Sequence, residues 1–412
     1  MTDISLPDIG RNDQCAAGVT PPKSTYLFTI PWFPSSPVGG VNQSIFNLIH
    51  YMRRDGRYRP LPAVINGPDN PPQPEHVECR VISLRLRDPG DPGFFFRAPL
   101  AFLFWLPWTL LQLRKLVVSH QIRAIIQEFP GAEGLTFVIF KVLGLLPGNV
   151  ILVLQGNDIK EASASKGLRR FLHKLTFRLA DCVVACSHGI RQDLLNFEPR
   201  CEPHSMVIHN TVNIDSYQTQ HLSLSTLPES IRGRRFLLNI GKFEHKKGQD
   251  TLLLAFESVA QSFPELMLVL IGATGPKTDE IRQRVQSSRW SGRILMFENV
   301  PHHEVASYLK AASIFVLPSR REGLPFAILE AAACKVPVIA TEIPGVNEVV
   351  TENVTGRLVP VDNPDELARA ISDLLEDDEK RQMFANRLFE LVSTRFTWDS
   401  AYHRYLTLNG DL

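Results

Sequence analysis

Surplus charge is almost absent from this 412-residue chain: 44 lysines and arginines face 43 aspartates and glutamates, leaving a formal net charge of +1. Nucleic-acid binding draws on a basic excess with aromatic or arginine-rich clusters, and without them that class of partner is not expected. Cysteine is also sparse. The six, at positions 15, 79, 182, 186, 201 and 334, have neither zinc-ligand spacing nor the pairing of a small disulfide framework. Cys182 and Cys186 stand four apart on an expected strand, which would put both on one face as buried structural thiols. No Asp-Xaa-Asp pair follows a strand, and neither a Gly-x-Gly-x-x-Gly turn nor a Walker loop occurs. His302, His303 and Glu304 have the letters of a metal cluster, but adjacent histidines on a helix point in different directions, so no metal is expected there. The first residues lack a basic region followed by an apolar core, which predicts a cytoplasmic protein with residues 1–23 as a mobile segment.

The strongest apolar run, residues 100–111, contains Trp105, Pro107 and Trp108, with Arg97 before it and Arg114 and Lys115 after it. It falls short of the roughly 20 residues that span a bilayer. Two readings stand: a helix buried on the sheet of its own domain, or one lying in a membrane interface, where tryptophans and flanking cations are favoured.

Length suits two domains, and two series of alternating strand and helix patterns predict two doubly wound parallel sheets, an α/β architecture. In the first half the expected strands are residues 26–30, 61–65, 79–83, 124–128, 150–154, 182–186 and 206–208. In the second they are 236–240, 266–271, 294–297, 314–317, 336–340 and 356–359. A helix over 167–180 carries Leu168, Phe171, Leu172, Leu175 and Leu179 on one face. Asn363 followed by Pro364, Asp365 and Glu366 predicts a capped helix start. The polar stretch 211–235 marks the boundary, giving domains 24–215 and 216–394, with 395–412 as a C-terminal helix returning toward the first domain.

The chemistry concentrates in residues 321–330. Strand 314–317 runs into a loop, Gly323 follows Glu322, Pro325 suits the first helical position, and Glu330 lies on the helix. A helix start offers free N–H groups and partial positive charge, so backbone at Gly323 and Leu324 can approach a phosphate. Glu322 and Glu330 are better suited to accept hydrogen bonds from sugar hydroxyls. Gly241 to Gly248 follows strand 236–240, and its Lys242, Lys246 and Lys247 can neutralise a pyrophosphate at the same sheet edge. After the first strand, Gly39 and Gly40 open a helix over 43–52 and either approach a phosphate from the opposite wall or form a plain tight turn.

These residues carry a family resemblance. Gly241, Lys242, Lys247 and Gly248, the run Glu322, Gly323, Leu324 and Pro325 with Glu330 and Ala331, residues 337–340, and Gly345, Glu348, Thr355 and Gly356 closely resemble the retaining GT-B glycosyltransferases of family 4. Residues 180–187 and 207–210 are similar to that family's end of the N-terminal domain, and the match covers most of residues 150–380. The resemblance implies two Rossmann-like domains facing across a cleft. It implies a UDP- or GDP-sugar as substrate, with no cofactor or metal, and a glycan or lipid-linked acceptor. Lys242 and Lys247 would contact the donor pyrophosphate, Gly323 and Leu324 would donate N–H groups, and Gly40 would contribute from the other domain. Glu330 would bind the ribose and Glu322 the transferred sugar beside its anomeric carbon.

Three positions depart from the family pattern. Pro325 replaces a frequent glycine, Asn299 stands where a glycine commonly ends a strand, and Gln155, three residues before Asp158, replaces a histidine that bears on the transferred sugar. Gln155 can hydrogen-bond a hydroxyl but exchanges no proton near neutral pH, so Gln155 and Asp158 are placed on the sugar or acceptor side. The sequence therefore predicts a retaining hexosyltransferase of bacterial surface or exopolysaccharide synthesis, working in the cytoplasm or at the inner membrane face. The rivals are a non-catalytic sugar-nucleotide-binding subunit of a membrane-associated transferase and a GT-B epimerase or phosphorylase, the latter lacking a lysine-bound cofactor motif.

Overall fold

A computed structural model describes residues 24–30, 40–66, 81–90, 98–219 and 227–408. Seven strands, β1 (Ser24–Ile30), β2 (Tyr58–Ile65), β3 (Ile82–Leu84), β4 (Ile122–Glu128), β5 (Asn149–Leu154), β6 (Cys182–Ala185) and β7 (Ser205–Val207), form one sheet in the order 3-2-1-4-5-6-7. Six more, β8 (Phe236–Ile240), β9 (Met267–Gly272), β10 (Ile294–Glu298), β11 (Ile314–Leu317), β12 (Val338–Thr341) and β13 (Arg357–Val359), form a second sheet in the order 10-9-8-11-12-13. All the pairings are parallel. Strands such as β5 and β9 are continuous apolar runs because helices cover both their faces. Strand order reverses between β1 and β4, and again between β8 and β11, so a crevice opens at the carboxyl ends of each sheet.

The first half carries helices α1 (Gly40–Asp55), α2 (Ala98–His120), α3 (Leu135–Val142), α4 (Asn157–Ala164), α5 (Gly167–Leu179), α6 (His188–Phe197) and α7 (Ile214–Thr219). The second carries α8 (Gln249–Ser262), α9 (Thr278–Ser287), α10 (His302–Ala311), α11 (Phe326–Ala333), α12 (Pro364–Glu376), α13 (Asp378–Arg395) and α14 (Trp398–Thr407). One apolar cluster runs from Leu152 and Ala185 in the first sheet to Leu238 and Leu317 in the second, so the two halves share a packed core. Helix α14 returns to the first sheet, where Trp398, Tyr402, Tyr405 and Leu406 pack with Tyr26, Phe28 and Leu48. The Tyr402 hydroxyl donates to Asp55 at 2.6 Å and fixes that return.

Several expectations shift. Strand β6 ends at Ala185, and Cys186 then packs on the side opposite Cys182, so the two thiols do not share a face. Burial pushes the Cys182 thiol up to about 12, and Cys186 also well up. Pro325 is the residue before α11 rather than its first, with extended backbone. Helix α1 begins at Gly40, earlier than expected. Residues 100–111 belong to α2, a helix of 23 residues, long enough to cross a bilayer and continuous through Pro107. On α5 the apolar stripe is only partly covered: Leu172 is buried, while Leu168, Phe171 and Leu179 are exposed. Asn363 caps α12 as expected, accepting from the Glu366 N–H at 3.0 Å. Gly39, Cys15, Cys79 and residues 222–226 lie outside the described residues.

Candidate functional site

After β8 the chain makes a tight loop whose shape is set from within. Gln249, at the start of α8, donates from Nε2 to the carbonyls of Gly241 at 3.1 Å and Lys242 at 3.2 Å. A short 3-10 turn, His245–Lys247, then brings Lys247 back over Gly241, where an added Cβ would lie 3.2 Å from the lysine stem. Lys246 pairs with Glu244 at 3.2 Å, and Lys242 points outward, exposed.

The loop after β11 meets it. Arg320 is anchored by Asp250 at 2.9 Å and Asp362 at 2.6 Å, which fixes the chain entering the next turn. Glu322 there accepts from Lys247 Nζ at 2.7 Å and from the Ser319 hydroxyl at 2.6 Å. One helical turn into α11, Glu330 is only 6% exposed and accepts from His302 Nε2 at 3.0 Å. Burial works against a charged imidazole, but the hydrogen bond and charge of Glu330 outweigh it, so His302 titrates above its ordinary value. Asn299, at the end of β10, adopts φ 55, a left-handed conformation that asparagine tolerates in place of glycine. Its side chain holds Thr274 Oγ1 at 3.1 Å.

The first sheet supplies the opposite wall. Gln155, just after β5, uses both ends of its amide: Nε2 donates to Glu128 at 3.1 Å, and Oε1 accepts from Asn210 at 3.1 Å. Asp158 spends its carboxylate on the backbone N–H groups of Gln155, Gly156 and Ile159. Burial is the largest influence on both acids and pushes Glu128 up to about 8 and Asp158 up to about 6. Glu128 is thus a neutral acid at pH 7, able to donate as well as accept.

The two walls touch. A Cβ on Gly323 would lie 2.4 Å from the Gln155 carbonyl oxygen, so only glycine fits between the halves. Asn210 reaches across to the Leu324 carbonyl at 3.1 Å, Arg321 pairs with Asp193 at 2.9 Å, and Lys246 donates to Asn157 at 3.1 Å. Glu348 accepts from His209 at 2.9 Å and from the N–H groups of His188 at 3.0 Å and Gly189 at 3.2 Å. These bonds outweigh burial and hold its carboxyl below the ordinary range. Potential ligand atoms of His188, His209 and Glu348 lie within 4.8 Å of one another. With both carboxylate oxygens turned to N–H donors at the positive end of α6, the cluster is built as a clasp between the halves rather than as a cation site.

Of the residues singled out by sequence, Lys247, Glu322, Gly323, Leu324 and Glu330 gather at one sheet edge, and Gln155 and Asp158 lie just across it. Gly241 shapes the lysine loop, Lys242 stands at its rim, and Gly40 opens α1. Sequence reasoning missed Glu128 and the pairing of His302 with Glu330. Their only signal was position, at the carboxyl ends of β4 and β10.

Two family descriptions match the chain, "Glycosyl transferase 4-like domain" over residues 39–210 and "Glycosyl transferases group 1" over residues 228–390. With two parallel-sheet domains and this cleft, the chain belongs to the group 1, family 4 glycosyltransferases of the GT-B fold. It is similar to the alpha-maltose-1-phosphate synthase of Mycolicibacterium smegmatis, 28% identical over 246 residues covering 55% of this chain and 62% of the relative. It is also similar to the D-inositol 3-phosphate glycosyltransferase of Xylanimonas cellulosilytica, 27% identical over 54% of this chain and 55% of the relative. The chain therefore spans less than two thirds of the length of these curated relatives. Among solved structures, sucrose-phosphate synthase from Thermosynechococcus elongatus superposes with a TM-score of 0.72 at 21% identity, covering 94% of this chain and 98% of the other. HepE from Anabaena, solved with UDP and glucose, gives 0.71 at 18% identity, covering 94% and 100%. These likenesses show the fold.

Proposed function

We propose that this chain transfers a hexose from a UDP- or GDP-sugar to a hydroxyl of a glycan or lipid-linked acceptor, with retention at the anomeric carbon and without a metal. The observation that carries it is the Lys247 to Glu322 pair, set at the carboxyl end of the second sheet and pressed by Gly323 against the first. An ammonium group has three donors, so Lys247 can hold Glu322 in place and still take a phosphate oxygen. Lys242 adds a second cation at the rim. Gly323 and Leu324 present backbone at the approach to α11, where the helix dipole favours an anion. Glu322 accepts from hydroxyls of the transferred sugar, and Glu330, shared with His302, accepts from the ribose.

In the reaction, the bond between the anomeric carbon and the diphosphate oxygen breaks, and the acceptor oxygen joins that carbon on the same face. The acceptor proton passes to the departing phosphate. Stabilising the charge that develops on that phosphate is the main catalytic contribution, since the described carboxylates Glu322, Glu330, Glu348 and Asp158 already hold hydrogen-bond partners. Gln155 has both amide ends committed and acts here by holding Asn210 and the Gly323 turn in register.

HepE, solved with UDP-glucose, and TarM of S. aureus, solved with UDP and alpha-GlcNAc-glycerol, support the donor class. A relative from Bacillus subtilis named for teichuronic acid biosynthesis supports a role in bacterial surface polysaccharide. The relatives are named as synthases and transferases, which does not favour a non-catalytic subunit.

The test has two stages. A thermal-shift screen of uridine and guanosine diphosphates and their sugars identifies the donor, since a ligand at about 100 times its Kd stabilises by roughly 2.7 kcal/mol. NMR of the product formed with that donor then reads the anomeric configuration. An inverted linkage removes the retaining mechanism, and release of an altered free sugar with no new glycosidic bond removes transfer itself.

A further inference from the structure

Helix α2 is apolar on two sides. Ala98, Phe102, Leu113, Leu116 and Val117 face the core. At 3.6 residues per turn, Leu100, Leu103, Phe104, Trp108, Leu111 and Val118 fall on the opposite side, all exposed, Phe104 at 76% and Leu100 at 68%. A helix that only covers its own sheet carries polar side chains outward, so the outer face of α2 is unexplained by folding.

The neighbours of α2 extend that face. Helix α3 lies beside α2 and α5 beside α3 on the same side of the first sheet, joined through one apolar cluster. Val142 and Leu143 at the end of α3, and Leu168, Phe171 and Leu179 on α5, are exposed. Twelve of the sixteen large hydrophobic side chains exposed among the described residues stand on this one layer. The segment before α2 ties the layer together: Arg87 stacks over Trp105 at 5.3 Å, while Asp88 and the Gly90 carbonyl hold Arg169 of α5 at 3.8 and 3.2 Å.

Helices α2, α3 and α5 contain no aspartate or glutamate, yet carry Arg114, Lys115, Lys141, Lys174 and Arg178 as well as Arg169 and Arg170. Arg169, Lys141 and Lys174 pair with Asp88, Asp181 and Glu198 from neighbouring segments, while Arg114, Lys115, Arg170 and Arg178 have no carboxylate partner among the described residues. In a chain of net charge +1 this is a local concentration of cations around exposed aromatic and aliphatic groups. A second copy of the same face would bring like charges together, whereas an anionic lipid surface meets both the charge and the apolar groups.

We propose that the face formed by α2, α3 and α5 docks this protein onto an anionic phospholipid bilayer, with α2 lying in the interfacial plane. Spanning is opposed by the structure, despite a helix of sufficient length. To cross, α2 would have to withdraw five core side chains from the first sheet and carry Arg114 and Lys115 into hydrocarbon. In the docked state Trp105 and Trp108 sit at the headgroup level and the cations meet phosphates. The first turns of α2 and α5 lie toward the carboxyl ends of the strands, so the bilayer meets the molecule beside the cleft.

This deepens the lipid-linked alternative in the proposed function, but its test needs neither donor nor acceptor. The full chain is floated with vesicles of phosphatidylglycerol and phosphatidylethanolamine, and separately with phosphatidylcholine alone. It floats with the first and not the second, high salt weakens binding, and alkaline carbonate releases it. Phe104→Ser combined with Trp108→Ser lowers the partition coefficient by about tenfold or more. Phe171→Ser or Arg178→Glu lowers it severalfold, and melting temperatures stay unchanged because these side chains are exposed. Absence of flotation, undiminished binding by the variants, or retention after carbonate overturns the proposal. So does a dimer in sedimentation that the same variants break in a chain that ignores vesicles. Sugar transfer to a water-soluble acceptor is a separate readout: if it fails while flotation holds, the transfer reading falls and the docking surface stands.

Discussion

The edges of the two sheets meet at one cleft with different electrical character. At the second sheet, largely buried charged groups are paired with charges of opposite sign: Lys247 with Glu322, His302 with Glu330, Arg320 with Asp250 and Asp362. At the first sheet, Glu128 is buried and neutral at pH 7, Asp158 is spent on three backbone N–H groups, and Gln155 is bonded at both ends. An ammonium or carboxylate in such a pair keeps further donor or acceptor positions, so it can take a charged or hydroxyl-bearing ligand while its partner stays bonded. A buried network cannot, since any group left unpaired there costs its full desolvation. The second sheet thus offers chemistry, and the first sheet offers shape.

That contrast can be broken by substitution. Lys247→Ala should lower kcat/KM by about 100- to 1,000-fold, as loss of a charge donor at a developing anion does. Steady-state kinetics with the identified donor checks it, and an unchanged rate would remove the phosphate role. Gly323→Ala forces a Cβ to 2.4 Å from the Gln155 carbonyl oxygen, so the walls must part. A displacement of that kind costs about 100-fold in turnover. Small-angle scattering should show the molecule widen, and an unchanged profile with full activity would mean that the contact does not set the cleft.

Glu128→Gln tests the buried edge through pH. The folded carboxyl titrates at about 8 against an ordinary 4.5, so between those values the unfolded chain releases a proton that the folded chain keeps. Stability therefore falls as pH rises through that window, and it is undiminished by this group below the lower value. The glutamine variant removes the loss: its melting temperature should match the parent near the lower limit and exceed it by a few degrees above the upper one. Parallel melting curves for both proteins at every pH would show that Glu128 is ionised and solvated. The smallest effect belongs to Lys242→Ala, about fivefold or less in donor KM, because an exposed ion contributes little. A loss as large as that of Lys247→Ala would make the rim as important as the paired edge.

Much of this was legible before folding. The strands 236–240 and 314–317 were read to their last residues, because buried parallel strands are unbroken apolar runs and glycine or proline marks their ends. Lys247 was visible in the run 241–248, and Glu322 and Glu330 in the run 322–330, because each run is short and closely follows a strand. Cys182 and Cys186 were misjudged because strand β6 stops one residue early, which turns the second thiol to the other side of the sheet. Leu168, Phe171 and Leu179 were read as one helical face and are exposed: helical spacing identifies a stripe, but the rotation of α5 against the sheet decides how much of it is covered.

Sequence alone therefore determined the alternating strands and helices, the two-sheet architecture and the two runs 241–248 and 322–330, each of which depends on residues a few positions apart. Tertiary structure decided the rest. The pairing of His302 with Glu330, the locking of Gln155 between Glu128 and Asn210, and the approach of Gly323 to the opposite wall join residues separated by 27 to more than 100 positions. The exposure of α2 is of the same kind. Whether an apolar side chain meets a neighbour or solvent depends on which surfaces the folded chain brings against it, and periodicity carries no record of that.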